Sequence, residues 1–113
     1  MSRDCDDERT HDRPYVLKLL TIVTESVLEA QLVRDVEQLG ARGYTITNAR
    51  GKGHRGVREA DWETESNIRL EVVCDDATAR RIAAHVQARY YDNYAMILLL
   101  GDVEVLRPEK FRT

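Results

Sequence analysis

The chain has 113 residues, is 33% charged and 42% hydrophobic, and carries a formal net charge of −3. That length suits one domain with one core. Its mild acidity argues against non-specific nucleic-acid binding, which needs a basic footprint, and no apolar run is long enough to cross a bilayer. The polar N-terminus does not read as a secretory signal, so the expected compartment is the cytoplasm. Cys5 and Cys74 lack metal or redox spacing and read as free thiols.

Residues 1–14, MSRDCDDERTHDRP, hold almost no large apolar side chain and mix both charge signs. They read as a disordered polar tail, with the folded domain expected over 15–113. Tyr15–Val23, YVLKLLTIV, is rich in strand formers. Ser26 and Glu29 then make a capping-box pattern, followed by Leu28, Leu32, Val36 and Leu39 at helical spacing. This predicts a helix of about four turns, stopped by Gly40 or Gly43. Tyr44–Arg50 is a second strand, and the long polar segment Lys52–Ser66 follows it. Ile68, Leu70 and Val72 alternate with Arg69 and Glu71, which predicts a half-buried strand over Ile68–Val73. Asp75 or Asp76 can cap the next helix, whose apolar stripe is Ala79, Ile82, Ala83, Val86 and Tyr90. Met96–Leu100, MILLL, is an unbroken apolar strand, and Val103 and Val105 alternate in a short extension.

The order β-α-β-β-α-β is the split β-α-β, or ferredoxin-like, arrangement of the α+β class, with two helices on one face of a four-stranded sheet. No helix remains for the opposite face. Yet MILLL is apolar on both sides, and so is the first strand, with Leu17, Leu19 and Val23 on one side and Val16, Leu20 and Ile22 on the other. A sheet wet on one face should alternate apolar and polar. An apolar face of several hundred Å² is unusual on a monomer, and at about 25 cal/mol per Å² its burial is worth several kcal/mol per subunit. Other subunits are predicted to bury it. The competing reading is that the extension after Gly101, or a chain end, folds back over it.

Lys52–Ser66 lacks apolar periodicity, and a loop of that length in a small domain is usually functional or disordered; it is expected to be mobile. Its first half is basic, with Lys52, His54, Arg55 and Arg58, and its second half acidic, with Glu59, Asp61, Glu63 and Glu65. Trp62 is the sole tryptophan; it reads either as an anchor for a protein partner or as a side chain folded back on its own domain. Gly51, Gly53 and Gly56 give G-x-G-x-x-G after a strand, but no helix opens behind it, so a dinucleotide fold is rejected. Backbone N–H groups and cations remain, which hold a phosphate or form only a solvated turn.

The run GARGYTITNARGKGHRG at 40–56 resembles the second strand and loop start of the PII signalling proteins, which carry G-x-x-G-[MY]-T-[VI]-T-x-x-[KR]-G-x-G there. IRLEVVCDD at 68–76 resembles their third strand and helix entry, and AMILLLGDVEVLR at 95–107 their last strands. The resemblance implies a homotrimer with sheets packed into a central core, adenine nucleotides in the clefts between neighbours, and the long loop as the arm that touches partners. It places Thr45 and Gly51 beside the adenine, and Gly53, His54 and Arg55 near the phosphates. By the same resemblance Arg107 is expected to reach phosphate from the adjacent subunit, with Lys52, Arg55, Arg58 and Arg107 neutralising it. Gly56, Tyr94, Ala95 and Met96 complete the expected site.

The ATP-binding members place T-G-x-x-G-D-G-K before the last strand, where this chain has RYYDNYAM at 89–96. The family glutamine that helps hold magnesium and oxoglutarate is replaced by Arg55. YYDNYAMILLLGDVEVL and SNIRLEVV resemble instead the PII-like proteins of carboxysomes and bicarbonate transporters. The chain ends PEKFRT, without the Cys-Gly-Pro-Glu-Gly-Cys-type tail of transporter-associated members, so the carboxysome-associated type is the nearer likeness. That branch implies AMP, ADP or cyclic AMP as ligand, bicarbonate as co-ligand, and a bicarbonate transporter or carboxysome-related protein as partner.

The expected function is a non-enzymatic sensor without cofactor, metal, nucleic acid or membrane insertion. Three rival readings stand beside it. A phosphatase-type enzyme would draw on Asp92 and Asn93 beside Arg89, with His85 read as a solvated surface histidine. A metal-binding or purely structural trimer would use His54 with loop carboxylates. RNA binding on the sheet would need more aromatics than Tyr15 and Tyr44. Tyr90, Tyr91 and Tyr94 either frame a nucleotide or close the helix–strand corner.

Overall fold

The computed structural model describes residues 15–51 and 66–106; the expected tail at 1–14, the loop residues 52–65 and the C-terminus from Arg107 lie outside them. The elements are β1 (Tyr15–Glu25), a single 3-10 turn (Ser26–Leu28), α1 (Glu29–Gln38), β2 (Thr45–Ala49), β3 (Asn67–Cys74), α2 (Asp76–Tyr90) and β4 (Met96–Val105). The strands form one sheet in the order β2-β3-β1-β4, with each neighbouring pair antiparallel. This is the expected ferredoxin-like split β-α-β architecture.

Several boundaries differ from the sequence reading for local reasons. β1 continues past Val23, because Thr24 and Glu25 remain in the ladder opposite Ile68 and Asn67. The capping box does not form. Ser26 N–H instead donates to Ser66 O at 3.1 Å, the chain makes a 3-10 turn, and Leu28 precedes the α-helix without a side-chain cap. α1 is therefore 10 residues long, shorter than predicted. It ends at Gly40, whose φ of 116° lies in the left-handed region. Ala41 N–H donates back to Val36 O at 2.9 Å, the six-to-one bond of a Schellman stop, and Arg81 Nε donates to Leu39 O at 3.2 Å. Of the two candidates for capping α2, Asp75 does so: its Oδ1 accepts from Thr78 N–H at 2.8 Å. That bond and the Thr78 hydroxyl hold the Asp75 carboxyl below its ordinary pKa.

The core lies between the helices and one face of the sheet. Leu20 and Ile22 of β1 and Leu70, Val72 and Cys74 of β3 meet Leu28 of the 3-10 turn, Leu32 and Val36 of α1, and Ala79, Ile82, Val86 and Tyr90 of α2. All are buried, and the predicted α2 stripe is the stripe found, with Ala83 half-buried at its margin.

β4 runs unbroken through Gly101 and stays paired with β1 as far as Val105 opposite Tyr15. The extension after Gly101 therefore does not fold back over the sheet. On the face away from the helices, register aligns Leu19, Thr21 and Val23 with Gly101, Leu99 and Ile97. Ile97 and Leu99 are 49% and 57% exposed. Across the same face, β3 and β2 present Arg69, Glu71, Thr45 and Thr47. The face is thus divided, mainly apolar along β1 and β4 and mainly polar along β3 and β2, with Thr21 on β1 and Val73 on β3 as the exceptions, rather than apolar throughout.

Candidate functional site

One end of the sheet gathers four strand ends. β2 stops at Ala49, which pairs with Asn67, the first residue of β3; Asn67 in turn faces Glu25, the last residue of β1. β4 begins one step away, with Met96 opposite Thr24. The exposed Arg50 and Gly51 lead out of this row and Ser66 leads back into it, so both stems of the 52–65 segment rise from adjacent strands.

The corner before β4 is held by side chains. Thr24 Oγ1 donates to Ala95 O at 2.7 Å, and Glu25 Oε2 accepts from Ala95 N–H at 2.9 Å. Thr24 and Glu25 are both buried. Tyr94 N–H donates to Tyr90 O at 3.1 Å, and the two rings meet edge to face with centroids 6.1 Å apart. Tyr94 and Met96 also pack against the core. Of the tyrosines, Tyr90 and Tyr94 close the helix–strand corner, while Tyr91 is exposed.

Behind the corner lies a polar cluster between the helices. Asp35 of α1 is buried. It accepts from Tyr90 Oη at 2.5 Å and from Gln31 Nε2 at 3.4 Å, and His85 Nε2 lies 3.4 Å from its Oδ2. His85 is therefore half-buried against Asp35, not the solvated surface histidine expected from its arginine neighbours. Burial, and then the hydrogen bond to Asp35, push the Tyr90 hydroxyl up to about 12. Burial, and then the charge of Asp75, push the Cys74 thiol up to about 11, which keeps it protonated and poorly nucleophilic.

The predicted site residues fall into separated groups. Thr45 is exposed on β2, opposite Glu71, and Gly51 is exposed just beyond Ala49. Tyr94, Ala95 and Met96 are half-buried at the entry to β4. β2 and β4 are the two edges of the sheet, so three strand spacings, about 14 Å, separate them. One phosphate cannot touch both groups in one copy. Lys52, Gly53, His54, Arg55, Gly56, Arg58, Trp62 and Arg107 lie outside the described residues.

Two residues at this end escape a reading of the sequence. Thr24 and Glu25 are visible there only as a polar pair closing an apolar strand. Arg69 and Glu71 read as the wet side of β3; they share a face with Thr47 and Thr45, with Arg69 Nη1 3.9 Å from Glu71 Oε2. Among the described residues, no group of three or more His, Cys, Asp or Glu is placed to hold a metal ion, and no helix is long and apolar enough to cross a membrane.

Comparison with known proteins gives a consistent result. The family model "Nitrogen regulatory protein P-II" matches residues 17–110. A PII-like signaling protein of Thermus thermophilus is 49% identical, with a TM-score of 0.74 over 88% of this chain and 99% of that one. CPII of Thiomonas intermedia, solved with ADP and bicarbonate, is 25% identical, with a TM-score of 0.73 over 87% of this chain and 96% of that one. The same protein with ADP, AMP and acetate superimposes with a TM-score of 0.76 at 24% identity, over 88% and 97% of the two chains.

Proposed function

Since the chain belongs to the nitrogen regulatory protein P-II family, we propose that it is a PII-like regulatory sensor that binds AMP or ADP in clefts between three copies, with bicarbonate as co-ligand. The observation that carries this reading is the likeness, along nearly the whole chain, to a PII-like protein holding ADP and bicarbonate. The sheet order supports the inter-subunit placement. Thr45 and Gly51 lie on one edge and Tyr94–Met96 on the other, so packing of copies is what brings an edge group of one against an edge group of the next. In this arrangement Thr45 lies beside the adenine and Gly51 lies about 20 Å further along the same edge, where the nucleotide leads toward the loop, with Tyr94, Ala95 and Met96 bounding the cleft. Gly53, His54, Arg55 and Gly56 lie along the phosphates, and Lys52, Arg55, Arg58 and the neighbouring copy's Arg107 neutralise them. Charge-assisted hydrogen bonds of about 1.5–3 kcal/mol each suffice to bind a mono- or diphosphate.

The protein acts in the cytoplasm as a regulator, not an enzyme. It reports inorganic-carbon status to a bicarbonate transporter or carboxysome-related partner through the 52–66 loop, with Trp62 as the anchor. Calorimetry with AMP, ADP, cyclic AMP and ATP, with and without bicarbonate, tests the ligand. Heat is expected with AMP or ADP, altered by bicarbonate, and no heat with any nucleotide overturns the sensor reading. Sedimentation is expected to give three copies per particle; a stable single copy at micromolar concentration overturns the inter-subunit cleft.

A further inference from the structure

The entry to β4 is fixed by two side chains at the point where the backbone ladder stops. The last pair between β1 and β4 is Thr24 opposite Met96. One residue on, β1 ends and leaves through Ser26, whose N–H goes to Ser66 O at 3.1 Å. Ala95 lies beyond the ladder, yet both its main-chain polar groups are met, the carbonyl by Thr24 Oγ1 at 2.7 Å and the N–H by Glu25 Oε2 at 2.9 Å. Strand formation does not call for a glutamate here. A buried carboxylate is costly unless it is hydrogen-bonded, so a buried Glu25 signals a specific use of its acceptor. Glu25 also faces Asn67, beside Ala49, at the stems of the 52–65 segment. It therefore stands between those stems and the Tyr94–Met96 corner.

We propose that Glu25, assisted by Thr24, is a positioning residue for nucleotide binding. With Glu25 accepting from the Ala95 N–H and Thr24 donating to its carbonyl, the pair fixes where Tyr94 and Met96 stand and ties that corner to the strand end that holds Ser66. Glu25 acts through Ala95 and not by touching the ligand. The inference rests on the nucleotide reading above and adds to it that the corner must be locked from within its own subunit.

The test measures ADP affinity by calorimetry and amide hydrogen exchange at Ala95, Leu70 and Val86, in the full chain. Glu25→Ala is expected to weaken ADP binding by about tenfold or more, the size of one lost charge-assisted hydrogen bond. It should also speed exchange at Ala95 while Leu70 and Val86 stay protected. Glu25→Gln keeps a carbonyl acceptor, and its affinity and Ala95 protection are expected to stay within about threefold of the parent. Parent-like ADP affinity in Glu25→Ala, or weakened binding with Ala95 still protected, overturns the proposal and leaves the nucleotide reading intact. Absence of ADP binding in the parent chain overturns both. If Glu25→Ala also loses protection at Leu70 and Val86, Thr24→Val decides on the same readouts: faster Ala95 exchange with weaker ADP binding supports the clamp, and unchanged affinity overturns it.

Discussion

At the scale of single residues, the groups that order the helix–helix layer are polar and buried. Asp35 receives the Tyr90 hydroxyl and Gln31, with His85 alongside. Tyr90→Phe removes the hydroxyl but leaves the buried carboxylate, so the loss exceeds that of an average hydrogen bond; a drop of about 1–3 kcal/mol is expected, read from the denaturant midpoint. Titration of two buried groups, Cys74 of β3 and Tyr90 of α2, sets an alkaline limit. Cys74 and Tyr90 have folded pKa values of about 11 and about 12, against ordinary values of 9.0 and 10.0. A group raised by folding contributes its stability below the unfolded pKa and loses it as pH climbs to the folded one. Stability is therefore expected to fall from about pH 9, where the unfolded chain begins to release the Cys74 proton, toward pH 12. Cys74→Ala should flatten the first part of that fall, between about pH 9 and pH 11, in denaturation followed as a function of pH. Asp75 works in the opposite direction. Its lowered pKa stabilises the chain above the ordinary carboxylate range, and that contribution disappears as pH drops through the folded value.

At the scale of elements, what could be read in the sequence follows from how local each signal is. The α2 stripe and the Asp75 cap were legible because a 3.6-residue period and a capping bond involve near neighbours only. The start of α1 was not, because Ser26 N–H is taken by Ser66, forty residues away in sequence, and a pattern read along one helix cannot see that competitor. Tyr90 was legible as core, but Asp35 as its partner was not, since two helices bring them together. The Thr24–Glu25 clamp was hidden for the same reason: a strand-end glutamate looks wet until β4 is placed beside it. Gly40 was legible as a stop, and its conformation makes a prediction. At φ 116° an added Cβ is strained even where space is available, and here it would stand 3.6 Å from Arg81 and Thr78. Gly40→Ala is expected to cost about 1–2 kcal/mol, while Gly43→Ala, with nothing within 4 Å of its Cβ, should be close to neutral in the same thermal-melt comparison.

At the scale of the whole molecule, the sheet face without helices is the surface the proposed assembly would use, and its two halves make opposite demands. The sequence showed that β1 and β4 were apolar on both sides. It did not show that β3 and β2 would carry Arg69, Glu71, Thr45 and Thr47 onto the same face, because that depends on register between strands far apart in the chain. The division assigns roles. Ile97 and Leu99, 49% and 57% exposed on an edge strand, are a liability in a lone copy, so this half is the part that the proposed assembly would cover. The polar half keeps its hydration or meets a polar ligand, and burying Arg69 and Glu71 against an apolar surface would leave charges without water. Substitutions on the two halves should therefore separate assembly from binding. Leu99→Asp places a charge in the middle of the apolar half and is expected to shift sedimentation toward the single copy and to abolish AMP or ADP binding with it, because a cleft made by two copies cannot outlast their separation. Thr45→Val, on the opposite edge, should leave sedimentation unchanged and weaken nucleotide binding alone. Leu99→Asp that dissociates while still binding nucleotide at parental affinity would mean that the site is complete within one subunit, and the roughly 14 Å between the two edge groups would then have to be bridged by the length of the nucleotide itself.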